Sequence, residues 1–449
     1  MNETKLHFDV VIVGLGKTGL SCVRYFSQQG LRIAVTDSRD VPPELSALHE
    51  EIDSVSVYVG EINTDVLLAA DQIILSPGVS LEHESIKKAI ARGIPVCGDI
   101  EIFCQQVNAP VIAITGSNGK STVTTLVAEM LQQAGLKTSV GGNLGTPALD
   151  LLVEPPAEIY VLELSSFQLE TTFSLNAHAS VVLNISPDHM DRYNTLDDYI
   201  NAKKKIYSGQ GVMVINKDDQ FVEKMLDETR NSISFSLSKP SDNNFGVINE
   251  DDDIYLCQGE DKIINQNELL IKGQHNIANV LAAMALASSM NVPVTAMVET
   301  LKRFKGLEHR CQFVKTINSV SWYNDSKATN VGACIASIEG LFEFGEIILI
   351  AGGDSKGADL SSLTSVIKQH VKKVILLGID ANKLAETFGS EVAYEFVNSM
   401  DEAVDQAYKV SESGNIVLLA PACASLDMYD NYQQRGDIFI SAVNALEAI

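Results

Sequence analysis

The segment 116–122, with the sequence GSNGKST, follows an apolar run and precedes a helical pattern. Its glycines let backbone amides surround a phosphate, and the amino end of the following helix attracts anions. Lys120 can place its charge on the outer phosphates, and a hydroxyl of Ser121 or Thr122 can ligate Mg²⁺. The segment is two residues shorter than the usual G-x-x-x-x-G-K-[ST] loop but keeps these parts. We predict a triphosphate site at Gly116, Ser117, Asn118, Gly119, Lys120, Ser121 and Thr122.

A second glycine-rich segment, 14–19 with the sequence GLGKTG, also follows a strand-like run and opens a helical pattern. The spacing G-x-G-x-x-G in that context indicates a nucleotide or dinucleotide site, because the backbone can approach a pyrophosphate closely. Asp37 stands at the end of the next apolar run, where a carboxylate can bond a ribose. The alternative is a tight turn that only packs a strand against a helix. Alone, this segment would favour NAD.

Three further side chains follow apolar runs in the same half of the chain as GSNGKST. Glu163 ends the run 159–162, and His189 lies between acids just after the run 180–185. Both are predicted to stand at the carboxyl edge of a parallel sheet, where Mg²⁺ can be bound beside a phosphate loop. Lys203 shares a helical face with Tyr199 and Tyr207. The structural alternatives are a surface acid, a loop histidine and a solvated charge run.

Composition narrows the class of protein. The chain has 449 residues, 45% of them hydrophobic, and a formal net charge of −25. An acidic chain lacks the basic surface that a nucleic-acid partner requires, so we expect none. The seven cysteines show no C-x-x-C pair, which disfavours structural zinc and fits reduced thiols in a cytoplasmic protein. We expect no signal peptide at residues 1–7 and no membrane insertion, since no apolar run is long enough.

Strand-like and helical patterns alternate along the whole chain, which predicts parallel α/β architecture. The pattern restarts twice, at the apolar run 111–114 and again after Gly306. We therefore predict three α/β domains. They are an N-terminal Rossmann-like domain at 1–99, a central mononucleotide-binding domain with the short phosphate loop at 100–307, and a C-terminal Rossmann-like domain at 308–449. The polar, turn-rich stretch 232–265 predicts a β excursion within the central domain.

In this order the motifs resemble those of the Mur ligases of bacterial peptidoglycan synthesis, over essentially the whole chain. Family-wide features are GSNGKST, the segment LELSS at 162–166, GQHNIAN at 273–279 and His309-Arg310. Features that resemble the D-glutamate-adding branch are GLGKTGLSC from Gly14, NDSKATN at 324–330, GGDSK at 352–356 and PACASLD at 421–427. Branches that add other amino acids differ at the last three places.

The resemblance implies an ADP-forming amide ligase that joins D-glutamate to UDP-N-acetylmuramoyl-L-alanine through an acyl phosphate. The segment 14–19 would then hold UDP instead of NAD. The implied UDP-substrate residues are Leu15, Lys17, Thr18, Asp37, Ser38, Arg39, Gly78 and Asn143. Besides 116–122, the implied ATP residues are Asn276, Asn279, Arg310, Asp325 and Lys327. The implied D-glutamate residues are Thr329, Lys356, Ser425 and Tyr432, and Tyr432 is equally consistent with packing.

The resemblance also implies a metal site and a modified lysine. Two Mg²⁺ ions would be held by Ser121, Glu163, His189 and Lys203, and Lys120, Glu163, His189 and Lys203 would be the catalytic residues. Lys203 would be carbamylated, because an ammonium repels Mg²⁺ whereas a carbamate can ligate it. The implied protein is a monomer of the cytoplasm. The base that deprotonates the incoming amine stays open, with His189 or a phosphate oxygen as candidates.

Three other functions are weighed against this one. An NAD-dependent oxidoreductase would use the first loop but leaves the second loop and its acids without a role. A nucleotide-binding regulator with slow ATP hydrolysis would not need amino-acid-dependent turnover. A folate polyglutamate ligase would share the ATP and metal parts, but the UDP-type unit ending near Asp99 argues against it.

Overall fold

The computed structural model describes residues 6–152, 155–251 and 253–446. We predict no signal peptide at residues 1–7, and most of that segment, residues 1–5, lies outside the described residues. Across the described residues the strands form three separate sheets. No helix in these ranges combines the length and the apolar character needed to cross a bilayer.

The first sheet has five parallel strands. Its strands are β1 (Phe8–Val13), β2 (Ile33–Asp37), β3 (Ser56–Val59), β4 (Ala70–Leu75) and β5 (Val96–Cys97). The helices of this part are α1 (Lys17–Ser27), α2 (Leu45–Glu51), α3 (Thr64–Leu68), α4 (Glu84–Ala91) and α5 (Asp99–Gln106). The order β3-β2-β1-β4-β5 places β1 in the centre, where its apolar side chains are covered on both faces. The GLGKTG segment therefore leaves the sheet at the point where strand order reverses.

The second sheet has nine strands in the order β14-β13-β12-β11-β10-β9-β6-β8-β7. These are β6 (Val111–Thr115), β7 (Thr138–Gly142), β8 (Ile159–Glu163), β9 (Ala179–Val182), β10 (Val212–Asn216), β11 (Ser232–Phe235), β12 (Phe245–Glu250), β13 (Asp253–Gln258) and β14 (Asp261–Asn265). The helices are α6 (Lys120–Gln133), α7 (Ser166–Glu170), α8 (Leu196–Lys204), α9 (Gln220–Glu223), α10 (Gln274–Ser289) and α11 (Val294–Arg303). Strands β7 to β12 pair in parallel, and β12-β13-β14 is the antiparallel extension predicted as a β excursion.

The third sheet has six strands in the order β15-β16-β20-β17-β18-β19, with only the β15–β16 pair antiparallel. They are β15 (Gln312–Ile317), β16 (Val320–Asn324), β17 (Ile347–Gly352), β18 (Val371–Leu377), β19 (Tyr394–Phe396) and β20 (Ile416–Leu419). The helices are α12 (Val331–Leu341), α13 (Leu363–His370), α14 (Ala381–Phe388), α15 (Met400–Val410) and α16 (Tyr432–Ala445). Short 3-10 segments lie at Ala148–Leu151, Lys205–Tyr207, Gln266–Glu268, Phe342–Phe344 and Gly389–Glu391. The predicted three-domain α/β class is confirmed, whereas the boundaries near 99 and 307 stay predictions.

The three parts pack against one another differently. One apolar core runs without a break from the first sheet into the second, through side chains such as Ile12, Phe103 and Tyr160. The third part has its own two apolar cores. It meets the second through polar contacts instead, of which the Arg310 hydrogen bond to Ser121 is one. Burial of apolar surface therefore joins the first two parts, and side-chain hydrogen bonds connect the third part to the second.

Candidate active site

The GSNGKST loop connects β6 to α6, as predicted. Ser117 N–H donates to the Asn184 carbonyl at 2.9 Å, and Asn118 N–H donates to the Asn184 side-chain oxygen at 2.8 Å. Gly119 has a φ of +83°, and a Cβ there would lie 2.3 Å from the Asn279 side-chain oxygen. Only glycine fits that conformation and that approach. The loop is thus fixed by asparagines that follow β9 and lie on α10.

Lys120 folds back over its own loop. Its Nζ donates to the carbonyls of Gly116 at 2.8 Å and Ser117 at 2.9 Å. Removal from water lowers the pKa of Lys120, and the nearby carboxylates Glu163 and Asp188 oppose that shift. The ammonium therefore lies at the centre of the loop, where a phosphate oxygen can replace the carbonyls as its partner.

Glu163 ends β8 and is buried beside the same loop. Its Oε1 accepts a hydrogen bond of 2.6 Å from the Asn143 amide, whereas its buried Oε2 has no partner among the described residues. Burial opposes ionisation, but Lys120, Ser121 and Asn143 outweigh it, so the pKa of this carboxyl lies below its usual value. An ionised oxygen without a partner beside a phosphate loop is suited to bind a divalent cation.

His189 lies in the loop after β9 and adopts a left-handed backbone conformation, with a φ of +56°. Its ring packs against Phe167, with 4.8 Å between the ring centroids. Burial lowers the pKa of the imidazole, and the Asp188 carboxylate opposes that shift. A neutral imidazole can ligate a metal through a ring nitrogen.

Lys203 is a buried side chain of α8, since only 2% of its surface is exposed. Its Nζ donates to the Gly116 carbonyl at 2.9 Å and lies 4.6 Å from the centroid of the Tyr199 ring. Burial, and then the charge of Lys120, holds the pKa of Lys203 well below its usual range. The solvated charge run considered from the sequence is therefore wrong at this position, and burial favours the uncharged form of the amine over the ammonium.

A cavity of about 350 Å³ joins these groups to residues of the third part. Lys120, Glu163, His189 and Lys203 line one side, and all four predicted D-glutamate residues line the other: Thr329, Lys356, Ser425 and Tyr432. The Lys327 Nζ lies 4.0 Å from the centroid of the Tyr432 ring. Tyr432 therefore faces the cavity and a cation, which favours its predicted contact role over packing alone.

A narrower cavity of about 140 Å³ continues from the loop between the second and third parts. The predicted ATP residues Asn276, Asn279, Arg310, Asp325 and Lys327 all line it. Arg310 spans both parts, because its Nη2 donates to the Ser121 hydroxyl at 2.8 Å. The Ser121 hydroxyl, predicted as a Mg²⁺ ligand, is thus paired with a cation in this structure.

The GLGKTG loop lies at a separate cleft of about 530 Å³. The predicted residues Lys17, Thr18, Asp37, Ser38, Arg39, Gly78 and Asn143 line it. Leu15 does not, since its side chain is fully buried and its N–H donates to the Asp37 carboxylate at 2.7 Å. Asp37 also accepts from the Arg39 backbone and guanidinium, so it shapes the loop in addition to facing the cleft. These donors outweigh the effect of burial and lower the pKa of Asp37.

Sequence reasoning left several lining residues without a role. Around the cavity of about 350 Å³ these residues include Ser165, Ser166, Phe167, Asp188, Tyr199 and Asn330. Asn330 crosses from the third part to the second, where its amide donates to Asn118 and to Asp188, each at 3.2 Å. It ends the quoted motif NDSKATN, so the motif pointed to it without giving its role. Asn184 could have been found as a polar residue directly after a buried strand.

Within the described part of the chain, Glu163 and His189, two of the predicted metal ligands, do not belong to a close group of three His, Cys, Asp or Glu side chains. Among the described residues, the group of three possible ligands with atoms within 4.8 Å of one another is the surface set His7, Asp9 and Asp71. That set is remote in chain position from the phosphate loop, and His7 is already engaged by Arg32 and Asp71. The unpartnered Glu163 oxygen remains the better observation, and it fits a cation that also takes ligands from a bound phosphate.

Comparison with known proteins gives consistent matches along the chain. Family models described as Mur ligase MurD-like N-terminal domain, Mur ligase middle domain, and Mur ligase glutamate ligase domain match residues 8–98, 114–287 and 309–423. The UDP-N-acetylmuramoylalanine–D-glutamate ligase of Nitrosococcus oceani is 49% identical over 97% of this chain and 96% of its own length. The enzyme of that name from Pseudomonas aeruginosa is 48% identical over 98% of each chain.

Solved structures show the same arrangement of parts. The UDP-N-acetylmuramate-alanine ligase of Thermotoga maritima covers 98% of this chain and all of its own, with a TM-score of 0.62 at 17% identity. At that identity the likeness supports the fold alone.

Proposed function

The chain belongs to the Mur ligase family, and within it we propose the activity of joining D-glutamate to UDP-N-acetylmuramoyl-L-alanine with conversion of ATP to ADP. The observation that carries this proposal is that two further cavities share lining residues with the cavity of about 350 Å³ that Lys120 lines. Asn143 lines both the 530 Å³ cleft and the 350 Å³ cavity. Arg310 and Lys327 line both the 350 Å³ cavity and the 140 Å³ cavity. A UDP-linked carboxylate, the end of a triphosphate and an amino acid can therefore meet at one point.

The reaction divides into two steps that these residues can promote. A substrate carboxylate oxygen attacks the γ-phosphorus, ADP leaves, and an acyl phosphate forms. The D-glutamate amine then attacks the acyl carbon, the C–O bond to phosphate breaks, and the amine loses a proton. Lys120 faces the transferred phosphoryl group and offsets the repulsion between two anions. Burial of the cavity between two parts of the chain keeps water from the acyl phosphate.

Mg²⁺ supplies further charge stabilisation at the transferred phosphoryl group when it is bound. Glu163 offers its unpartnered Oε2, and His189 offers an imidazole whose pKa is lowered by burial. Ser121 would have to exchange its Arg310 partner for the ion. We propose that these residues hold two ions, with Lys203 as a ligand after carbamylation.

Carbamylation of Lys203 is supported by the chemistry of its surroundings. An uncharged amine attacks CO₂ at carbon and loses one proton, which leaves a carbamate anion. Burial, and then the charge of Lys120, favours the uncharged form of Lys203, and the product anion would be stabilised by the Lys120 ammonium. A carbamate there would also add a second anionic group beside the phosphate loop.

The amino-acid end of the cavity is cationic, which suits a dicarboxylate. Lys356, held at a φ of +50° by its N–H bond to the Asp354 carboxylate, and Lys327 both line it. Ser425 and Thr329 add hydroxyls at the same end. We propose that the two cations bind the carboxylates of D-glutamate and that the protein acts as a monomer, with domains at 1–99, 100–307 and 308–449.

The proposal is tested by measuring ADP release with ATP, Mg²⁺ and UDP-N-acetylmuramoyl-L-alanine while the amino acid is varied. We expect release with D-glutamate and little with L-glutamate, L-lysine or diaminopimelate. ADP release that ignores the amino acid would favour the regulatory ATPase, and nicotinamide binding would favour the oxidoreductase. The match of the N-terminal family model to residues 8–98 already argues against a folate polyglutamate ligase.

A further inference from the structure

The two principal candidate metal ligands lie on different segments of the second part of the chain. Glu163 ends β8, whereas His189 lies in the loop that follows β9. Beside that loop, Glu170, Arg192 and Tyr193 form a connected group of side chains to which the reaction above assigns no role. We propose that these three residues form a clamp that positions His189 opposite Glu163 and connects both to the UDP cleft. This inference rests on the proposed function.

The clamp is centred on the Glu170 carboxylate at the end of α7. One oxygen accepts from the Arg192 guanidinium at 2.7 Å, and the other accepts from the Tyr193 hydroxyl at 2.5 Å. The Arg192 and Glu170 side chains are only 14% and 16% exposed. A pair so far removed from solvent is screened less than a surface pair, so it can hold two elements at a fixed separation.

The other end of α7 begins beside Glu163. Ser165, two residues after Glu163, forms a capping box with Gln168. The short helix is therefore anchored to the strand that carries the first ligand. Glu170, at the end of this helix, contacts the loop that carries His189, the second ligand. The segment from Glu163 to Glu170 therefore connects the first ligand to Arg192 and Tyr193, which lie in the loop that carries the second.

Phe167 transmits the clamp to the imidazole. The Arg192 guanidinium lies 4.5 Å from the Phe167 ring centroid, and the His189 ring lies 4.8 Å from it. The Tyr193 ring stacks on Phe167 at 6.0 Å. Removing Arg192 or shifting Tyr193 would therefore free the aromatic ring against which His189 packs.

The backbone of His189 gives an independent reason why a clamp is needed. A residue with a side chain is strained in the left-handed region and persists there only where its surroundings hold it. The His189 carbonyl accepts the N–H groups of Arg192 at 2.9 Å and Tyr193 at 3.1 Å. The same two residues thus hold the backbone turn with their N–H groups and the turn's position with their side chains.

Arg192 also reaches the UDP cleft. Its Nη1 and Nη2 donate to the carbonyls of Pro77 and Val79, each at 3.4 Å. Gly78, between those two residues, lines the cleft of the first glycine loop. A ligand that orders this turn would present its carbonyls to Arg192. The clamp therefore links occupancy of the UDP cleft to the position of His189.

The test compares Arg192→Met with Arg192→Lys, Tyr193→Phe and the control Arg24→Met. Arg24 forms a surface ion pair with Glu51 through two hydrogen bonds of 2.6 Å and also lies 3.6 Å from the Asp150 carboxylate. None of these three residues lines the cavities of the site, so loss of Arg24 matches the loss of an arginine–carboxylate pair elsewhere. Each variant is melted thermally. Mn²⁺ binding in the presence of ADP is then titrated by electron paramagnetic resonance, without turnover. Finally kcat and the KM for each substrate are measured.

We expect Arg192→Met to weaken Mn²⁺ binding by roughly 10-fold and to lower kcat by roughly 10- to 100-fold, as loss of outer-sphere support does elsewhere. The KM for UDP-N-acetylmuramoyl-L-alanine should rise, while that for D-glutamate stays unchanged. Arg192→Lys should recover Mn²⁺ binding more than the UDP-substrate KM, because one ammonium can pair with Glu170 but cannot also span two carbonyls. Tyr193→Phe removes a single hydroxyl and should weaken Mn²⁺ binding in the folded protein.

The clamp is refuted if Arg192→Met and Tyr193→Phe match the Arg24→Met control in Mn²⁺ affinity and in the UDP-substrate KM. Should Arg192→Met not fold, Tyr193→Phe decides by the same two measurements. Absence of UDP-substrate turnover in the parent would refute the proposed function instead. In that case Mn²⁺ binding would still report on the positioning of His189.

Discussion

The two glycine-rich loops each join a central strand to a helix, yet their surroundings differ. At 14–19 the lysine, Lys17, is exposed, and a single carboxylate, Asp37, is satisfied by Leu15 and Arg39. At 116–122 the lysine is folded over the loop, and a carboxylate oxygen of Glu163 is left without a partner. The carboxylate beside the first loop is paired within the protein, whereas the carboxylate beside the second keeps one oxygen without a partner in the described chain.

This difference separates binding from chemistry. A loop beside a carboxylate that already has partners in the protein changes little when a ligand binds. It can therefore hold UDP without promoting a reaction. A loop beside a carboxylate oxygen that has no partner in the described chain, with a partly desolvated ammonium and a buried lysine whose pKa is lowered, gains most when charge develops beside it. Changes at the second loop should therefore lower kcat, whereas changes at the first should raise a KM.

Of these substitutions, Lys120→Ala should have the largest effect on kcat. Loss of the charge that faces the transferred phosphoryl group is expected to lower kcat by roughly 10³-fold or more. The fold should persist, because the Lys120 side chain bonds only carbonyls of its own loop. ADP release and a thermal melt are the measurements. A variant that turned over near the parent rate would exclude the loop as the phosphoryl-transfer site.

Lys203→Ala should follow, with a loss of roughly 10²-fold or more if a ligand to the metal is removed. Added short carboxylates such as acetate should restore part of the activity, since a carboxylate can occupy the space left by the carbamate. Lys120→Ala, assayed in the same buffers, is the control and should gain nothing. Failure of every carboxylate at every concentration would count against carbamylation.

Asp37→Asn should act at the first loop only. The isosteric amide loses charge-assisted bonds from Leu15 and Arg39, each of a kind that contributes about 1.5–3 kcal/mol. We expect the KM for the UDP-linked substrate to rise roughly 10- to 100-fold with kcat nearly unchanged. Steady-state kinetics with saturating ATP and D-glutamate check this. A fall in kcat without a change in KM would merge the roles of the two loops.

Asp99→Asn should have the smallest effect, and on stability instead of turnover. Asp99 begins α5, and its carboxylate oxygens are buried without a partner in the described chain. Burial raises the pKa of Asp99 to about 6. A raised folded pKa means that stability is highest while the acid is protonated and declines as pH rises from the unfolded pKa towards 6. The cost of ionisation is on the order of 2–3 kcal/mol.

The variant should therefore melt higher than the parent at pH 7.5, with the difference shrinking towards pH 5. Melting curves at both values measure it, and kcat at pH 7.5 should match the parent. A lower melting temperature at pH 7.5 would mean that the ionised carboxylate has a partner that stabilises it. Equal kcat would also show that the junction between the first two parts is not itself catalytic.

Much of this architecture could be predicted from the sequence. Buried runs such as those of β1 and β6 have no polar alternation, which is typical of parallel strands covered on both faces, and a glycine loop after each gave the two nucleotide sites. The carboxyl-edge position of Glu163 followed from its place after β8. The prediction that Lys203 and Tyr199 share one face of a helix agrees with the structure.

What could not be predicted depends on contacts between distant segments. The complete burial of Lys203 follows from α8 packing beneath the loop at Gly116, which no local pattern encodes. Arg310 pairing with Ser121 requires the relative placement of two parts of the chain. The left-handed backbone of His189 has no signature in its residue type. These features set the protonation state and orientation of groups whose presence the sequence already indicated.

The central claim is that the second loop transfers a phosphoryl group onto a carboxylate held from the first. It is tested most directly with UDP-N-acetylmuramoyl-L-alanine carrying ¹⁸O at both carboxylate oxygens, turned over with ATP and D-glutamate. An acyl phosphate requires that one labelled oxygen leave in the inorganic phosphate, so mass spectrometry should find one ¹⁸O in each phosphate released. Phosphate without the label, formed alongside amide product, would contradict the account.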